Sequence, residues 1–294
     1  MFAVFTPAQG QEKEQARLNV VATFSILGDF ARNIGGDRVS VTALVGPNSD
    51  THVYTPTPSD ARKITDAKLV IVNGLGLEGW LPRLVKSSGG KAATVVATKG
   101  IATRKIDANE PSGHDHDHGD ADPHAWQSVV NAKMYVTNIR DALVVADPAG
   151  ADAYRANASA YIAKLDALDR EVRGEVAKIP AERRSVISTH DAFGYFAAAY
   201  GIKFIAPRGV STESEPSARD IAVIITQIKK QKIPAVFLEN VSDPRLMQRI
   251  AAETGAAVGG TLYSDSLTDE KGSAPTYIDM VRHNIKTLTS ALSN

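Results

Sequence analysis

The chain has 294 residues, a length that allows about two domains, each large enough to bury its own core. Its 33 basic and 33 acidic residues cancel, so neither nucleic acid nor an anionic membrane is expected as the main partner. With no cysteine, the chain excludes disulfides, thiolate zinc sites and cysteine nucleophiles, and any metal must be held by nitrogen and oxygen.

Met1 to Phe5 is apolar, and Pro7-Ala8-Gln9-Gly10 precedes a charged segment. Residues 1–17 read either as the tail of a secretory signal without its basic start or as a disordered arm. Leu18 to Ala22 is a short apolar run. Ile26, Leu27, Phe30 and Ile34 then recur at helical spacing until Gly35-Gly36 stops them. Val39 to Val45 reads as a strand ended by Gly46-Pro47. Thr57-Pro58-Ser59-Asp60 is a helix start, with Thr57 able to cap and Pro58 suited to the first helical position. Leu69–Val72 and Thr94–Ala97 read as strands on either side of a helix through Trp80 and Leu84. Strands alternating with helices imply a parallel sheet. Residues 109–120 are acidic, glycine-containing and almost free of apolar side chains, as expected of a flexible loop.

Asp147-Pro148 opens a long helix, with Tyr154, Ala158, Tyr161, Leu165, Leu168, Val172, Val176 and Ile179 on one face until Pro180 ends it. At ~1.5 Å per residue it would run ~45 Å and span two lobes. The alternation then resumes: strand Ser185–Thr189, helix Phe193–Tyr200, strand Lys203–Ala206, helix Ile221–Lys230, strand Ala235–Leu238, a helix from Asp243-Pro244 to Gly255, and a short strand Ala256–Gly259. The expectation is an α/β protein of two lobes, each a mainly parallel sheet flanked by helices, joined by a long rigid backbone helix. Its parts are an N-terminal arm or signal remnant over 1–17, a first lobe over 18–147, the joining helix over 148–180 and a second lobe over 181–294. The halves show no clear sequence repeat.

Histidine is the commonest metal ligand near neutral pH. His114, His116 and His118 form the alternating run HDHDH; His124 follows in Asp122-Pro123-His124; His52 and His190 lie past strand-like stretches; His283 sits in an amphipathic helix. In open parallel sheets ligands collect beyond the carboxyl ends of strands. His52 follows Val39–Val45, His190 follows Ser185–Thr189, and Asp265 follows the last short strand. With His124, these residues converge if two lobes face each other. Three imidazoles and one carboxylate form a closed four-coordinate set suited to Zn²⁺. Asp50, Asp122 and Asp191 stand close enough in sequence to accept the remaining ring N–H groups. Taken singly, each member also has an ordinary structural reading: a hydrogen-bonded histidine, a turn aspartate, a packing Trp126. Glu213, Glu215 and Glu239 read as solvated charges or helix-start acids. Only together do these residues point to a metal.

The stretches SDTHVYTPTPSD, ADPHAWQSVVNAKMYVTNI, VISTHDAFGYFAAAYGI, STESEPSARDI, VFLENVSDPRLMQRIAAETGA and GTLYSDSL, in that order, resemble the metal-binding solute-binding proteins of ABC importers for zinc and manganese. The resemblance covers nearly all of residues 18 to 290. It implies two α/β lobes with a metal buried between them, ligands at His52, His124, His190 and Asp265, and delivery to a membrane permease. Manganese-type relatives tend to carry glutamate where His190 stands, so histidine favours Zn²⁺ over Mn²⁺. The HDHDH run resembles the histidine-rich loop of zinc-type members, and His114, His116 and His118 are expected to recruit metal or to receive it from a donor protein. The absence of cysteine departs from zinc-type relatives that carry a disulfide.

The expected protein is therefore a monomeric, periplasmic, soluble zinc carrier and not an enzyme. Three alternatives stand beside it. A manganese carrier would use the same scaffold. A zinc hydrolase would need an open metal position and Glu213 or Glu239 as base, but the chain has no HExxH, no GxSxG and no phosphate-binding glycine loop. A third class, a surface adhesin on this scaffold, would need a partner that the sequence does not reveal.

Overall fold

In a computed structural model, the structure describes residues 17–106 and 121–293. The expectations placed on residues 1–16 and on His114, His116 and His118 lie outside the described residues.

The first lobe contains β1 (Leu18–Phe24), α1 (Ser25–Gly35), β2 (Val39–Val45), α2 (Pro58–Asp66), β3 (Leu69–Val72), α3 (Leu81–Ser88), β4 (Ala93–Val96) and α4 (Val129–Ala146). Its four strands are parallel and ordered β2-β1-β3-β4. β3 is buried on both faces, as its unbroken Leu-Val-Ile-Val run requires of a parallel sheet covered by helices. The α2 start follows its sequence signature: the Asp60 carboxylate receives the Thr57 N–H at 2.8 Å, and Pro58 occupies the first turn.

A short 3-10 turn, Pro148–Gly150, leads into α5 (Ala151–Ala177), 27 residues and ~40 Å long. Its face of Tyr154, Ala158, Tyr161, Leu165, Leu168, Val172 and Val176 is buried, as the helical spacing requires. It packs on α1 and α4 of the first lobe and on α6 (Gly194–Tyr200) and α9 (Tyr277–Leu292) beyond it.

The second lobe adds β5 (Ser185–Ile187), β6 (Lys203–Ile205), α7 (Ala218–Gln231), β7 (Ala235–Glu239), α8 (Arg245–Thr254) and β8 (Ala257–Leu262). Its sheet, β6-β5-β7-β8, is again parallel, so the lobes share one strand order despite the absent sequence repeat. A single apolar core runs from Val20 in β1 through Leu165 in α5 to Phe237 in β7 and Leu288 in α9. Smaller cores lie under α2 and α3 and under α7 and α8.

Most bounds shift by one to three residues, and two elements differ further. α4, an 18-residue helix after the His124 loop, has no bounds assigned from the sequence. β8 runs to Leu262, past the expected stop at Gly259. Gly259-Gly260 reads as a strand breaker, but here it permits close packing: a Cβ on Gly259 would lie 2.5 Å from the Phe237 ring. Gly260 has φ +126°, and the β7–β8 register shifts between Val236 and Leu238.

Candidate metal centre

Each sheet has a switch point, between β1 and β3 and between β5 and β7, where crossovers leave in opposite directions. A buried glutamate organises the backbone at each. In the first lobe, Glu78 accepts the Thr23 hydroxyl at 2.6 Å and the N–H groups of Asn73 at 2.6 Å and Gly74 at 3.1 Å. Burial raises the Glu78 pKa against these stabilising hydrogen bonds. The Asn73 amide then donates to Pro123 O at 3.0 Å, which seats the loop carrying His124.

His124 heads the short 3-10 helix Ala125–Gln127 and is fully buried. Asp122 Oδ1 receives both its backbone N–H and its ring Nδ1 at 2.9 Å. That arrangement turns Nε2 away from Asp122 and toward the other ligand candidates. Trp126 Nε1 and Gln127 Nε2 donate to Ser264 O at 2.9 and 2.7 Å, pinning the loop that bears Asp265. Trp126 is also the packing residue expected, 5.0 Å from the Phe24 ring.

His52 lies in the loop after β2 and is buried. Asp50 differs from its expected role: its Oδ1 receives the His52 backbone N–H at 2.8 Å, while its Oδ2 receives the Thr212 hydroxyl of the second lobe at 2.6 Å. Trp80 Nε1 donates to Thr51 O at 2.8 Å and steadies the same loop.

His190 follows β5. Its ring Nδ1 faces Glu239 Oε2 at 2.5 Å, in place of the expected Asp191, whose backbone N–H instead binds Gly209 O at 3.2 Å. The physical reason is direction: the His190 ring turns back toward the end of the neighbouring β7, away from its sequence neighbour. Glu239 carried a signal the sequence reading undervalued, since it closes the apolar run Ala-Val-Phe-Leu at the carboxyl end of a central strand.

The four rim side chains meet. His52 Nε2 lies 3.2 Å from His124 Nε2 and 3.4 Å from Asp265 Oδ2. His190 Nε2 lies 3.1 Å from Asp265 Oδ2, and His124 Nε2 lies 3.6 Å from Asp265 Oδ1. One ligand atom from each residue lies within 4.8 Å of every other. A tetrahedral ion with ligands at ~2.0–2.2 Å separates its donors by about 3.3–3.6 Å, close to these four separations. His190 Nε2 and both Asp265 carboxylate oxygens are buried and accept or donate no hydrogen bond. Buried orphan polar atoms are costly, and a cation between them removes the cost.

Electrostatics agree. Burial would lower the His190 pKa, but the Glu239 and Asp265 charges outweigh it and raise it well above the usual histidine value. Burial would raise Asp265, but the neighbouring His190 and His124 hold it well below the ordinary carboxylate range. Burial, only partly offset by Asp265, lowers His52.

The family described as zinc-uptake complex component A, periplasmic, matches residues 20–291. The chain is 39% identical over 272 residues to the iron-binding protein YfeA of Yersinia pestis, covering 92% of this chain and 85% of that one. It is 37% identical to the manganese-binding lipoprotein MntA of Halalkalibacterium halodurans, with 97% and 91% covered. Among solved structures, the periplasmic zinc binding protein TroA from Treponema pallidum superposes with a TM-score of 0.86 at 32% identity, covering 95% of this chain and all of that one. A Mn-bound periplasmic metal binding protein from Candidatus Liberibacter asiaticus gives 0.82 at 31% identity, with 94% and 100% covered.

Proposed function

The chain belongs to the family of periplasmic zinc-uptake component A proteins, metal-binding substrate-binding proteins of ABC importers rather than enzymes, and from that premise we propose that it captures Zn²⁺ between its lobes and hands it to a membrane permease. We assign the ligands to His52, His124, His190 and Asp265. The observation that supports this reading is the buried meeting of one donor atom from each of these side chains, with His190 Nε2 and both Asp265 oxygens left without a hydrogen-bond partner.

Imidazole nitrogen suits zinc, and four protein donors leave no position for an activated water, which disfavours the hydrolase reading. A second reading, Mn²⁺ as cargo, draws on the manganese-named relatives and on one feature of the site. Both Asp265 oxygens are uncommitted, so the carboxylate can offer a fifth, hard donor. Competition between equimolar Zn²⁺ and Mn²⁺ on the purified protein tests the zinc reading. The zinc reading expects Zn²⁺ to displace bound Mn²⁺ at once; retention of Mn²⁺ against equimolar Zn²⁺ contradicts it.

The protein works outside the cytoplasmic membrane as a soluble monomer, with residues 18–147 and 181–294 as lobes and 148–180 as the joining segment. No helix among the described residues is long and apolar enough to cross a membrane. His114, His116 and His118 recruit metal at low affinity or receive it from a donor protein. Deleting them is expected to slow loading from limiting zinc and to leave equilibrium affinity nearly unchanged. An unchanged loading rate removes the recruitment role.

A further inference from the structure

We propose that Glu239 is the positioning residue of the second lobe's half of the site: it fixes which nitrogen of His190 carries the proton and holds the loop of Asp265 beside it. This deepens the metal-capture reading and rests on it.

Glu239 ends β7 at the switch point, 3% exposed, and its two oxygens meet four groups. Oε1 accepts the N–H groups of Thr189 at 2.7 Å and His190 at 3.1 Å. Oε2 faces His190 Nδ1 at 2.5 Å and accepts the Ser264 hydroxyl at 3.0 Å. Ser264 is the residue before Asp265, so one carboxylate ties together the two ligand-bearing loops of this lobe.

A carboxylate can only accept, so the ring nitrogen facing it must be the one that bears hydrogen. The proton therefore sits on Nδ1, and the Nε2 lone pair is free to point at the ion. Nε2 is buried and makes no hydrogen bond although Asp265 Oδ2 lies 3.1 Å away, whereas the ring's one hydrogen bond is at Nδ1. None of the acids next to His190 in sequence supplies this contact.

Glu239→Gln separates shape from proton placement. The amide oxygen can still accept the two backbone N–H groups, but the amide nitrogen replaces Oε2 and donates where an acceptor stood. The ring must then accept at Nδ1 and move its proton to Nε2, onto the atom that binds the ion. Carboxylate partners of metal-bound histidines are worth ~10–100-fold in affinity, and a loss of that size is expected here.

The experiment uses the full chain with Zn²⁺ against a competing chelator, together with nitrogen-15 NMR of the histidine rings in the metal-free protein, followed upward in pH until the His190 ring is neutral. Wild type is expected to show His190 protonated at Nδ1. Glu239→Gln is expected to show it at Nε2, with Zn²⁺ affinity down by ~10–100-fold, and to have a much smaller effect in a His190→Ala background. Wild-type affinity in Glu239→Gln, an equal loss in the His190→Ala background, or an Nε2 proton on His190 in the wild type would each overturn the role. The wild-type spectrum decides even if the Gln variant does not fold. A wild type that binds neither Zn²⁺ nor Mn²⁺ would instead sink the metal-capture reading itself.

Discussion

At the scale of residues, the metal competes with a proton for His190. Glu239 and Asp265 raise the pKa of that imidazole above its ordinary value, so near neutral pH the metal-free site holds a proton there. The protonated ring must lose that proton before it can bind, so affinity rises with pH until the raised value is passed. His52, whose pKa burial lowers, adds no such requirement near neutrality. Zinc affinity measured from pH 5 to pH 9 is therefore expected to keep climbing beyond ~6.5, the free histidine value, and a plateau from pH 6.5 upward would contradict the account. Each of His52→Ala, His124→Ala and His190→Ala is expected to cost more than the ~10–100-fold typical of a supporting partner. Near-normal affinity in any one variant removes that residue from the ligand set. Asp122 illustrates what sequence could reach: an acid two residues before a histidine in a tight loop can hold its ring, and it does. Asp50 shows the limit, because the same spacing there captures the backbone N–H and leaves the other oxygen for a residue 162 positions away.

At the scale of elements, the loops at the strand ends are tied unequally. The Asp265 loop is fastened to the first lobe: Leu267 N–H donates to Ser25 Oγ at 3.0 Å, Asn48 N–H donates to Leu267 O at 2.9 Å, and Trp126 and Gln127 hold Ser264. The segment around Thr212 meets the first lobe through the Asp50 carboxylate. A hydrogen bond to a charged group is worth about 1.5–3 kcal/mol. Thr212→Val is therefore expected to speed release of bound zinc by roughly tenfold or more while leaving the association rate nearly unchanged. Stopped-flow transfer to a chelator checks this, and an unchanged release rate contradicts a clasp. Gly259→Ala tests the β7–β8 packing: the added methyl runs into Phe237 and should cost about 1–3 kcal/mol in urea unfolding. The alternation of strands and helices was legible because β-branched runs and helical spacing are local signals. The end of β8 was not, because a glycine pair reads as a break unless the ring it accommodates, Phe237, is already in place.

At the scale of the whole molecule, one core joins both sheets to α5, so the lobes are expected to unfold together. An ion bound between them should shift the whole transition, by about 2.7 kcal/mol at a free concentration 100 times Kd. Calorimetry showing two steps, only one of them metal-sensitive, would contradict this coupling. The two-lobe plan could be read from the chain, since α5 advertises a long buried face between two runs of alternating elements. The identical strand order of the two sheets could not, because it resides in crossover direction and not in any repeated residue pattern. Which nitrogen or oxygen faces the ion was equally hidden, as it depends on side chains that meet only after both lobes close their shared core.

The most direct test is diffraction at the zinc absorption edge from crystals of the protein loaded with one equivalent of Zn²⁺. The account predicts one anomalous peak between the lobes, within ~2.0–2.2 Å of His52 Nε2, His124 Nε2, His190 Nε2 and an Asp265 oxygen. A principal peak elsewhere, or one there lacking any of the three imidazoles, would contradict it.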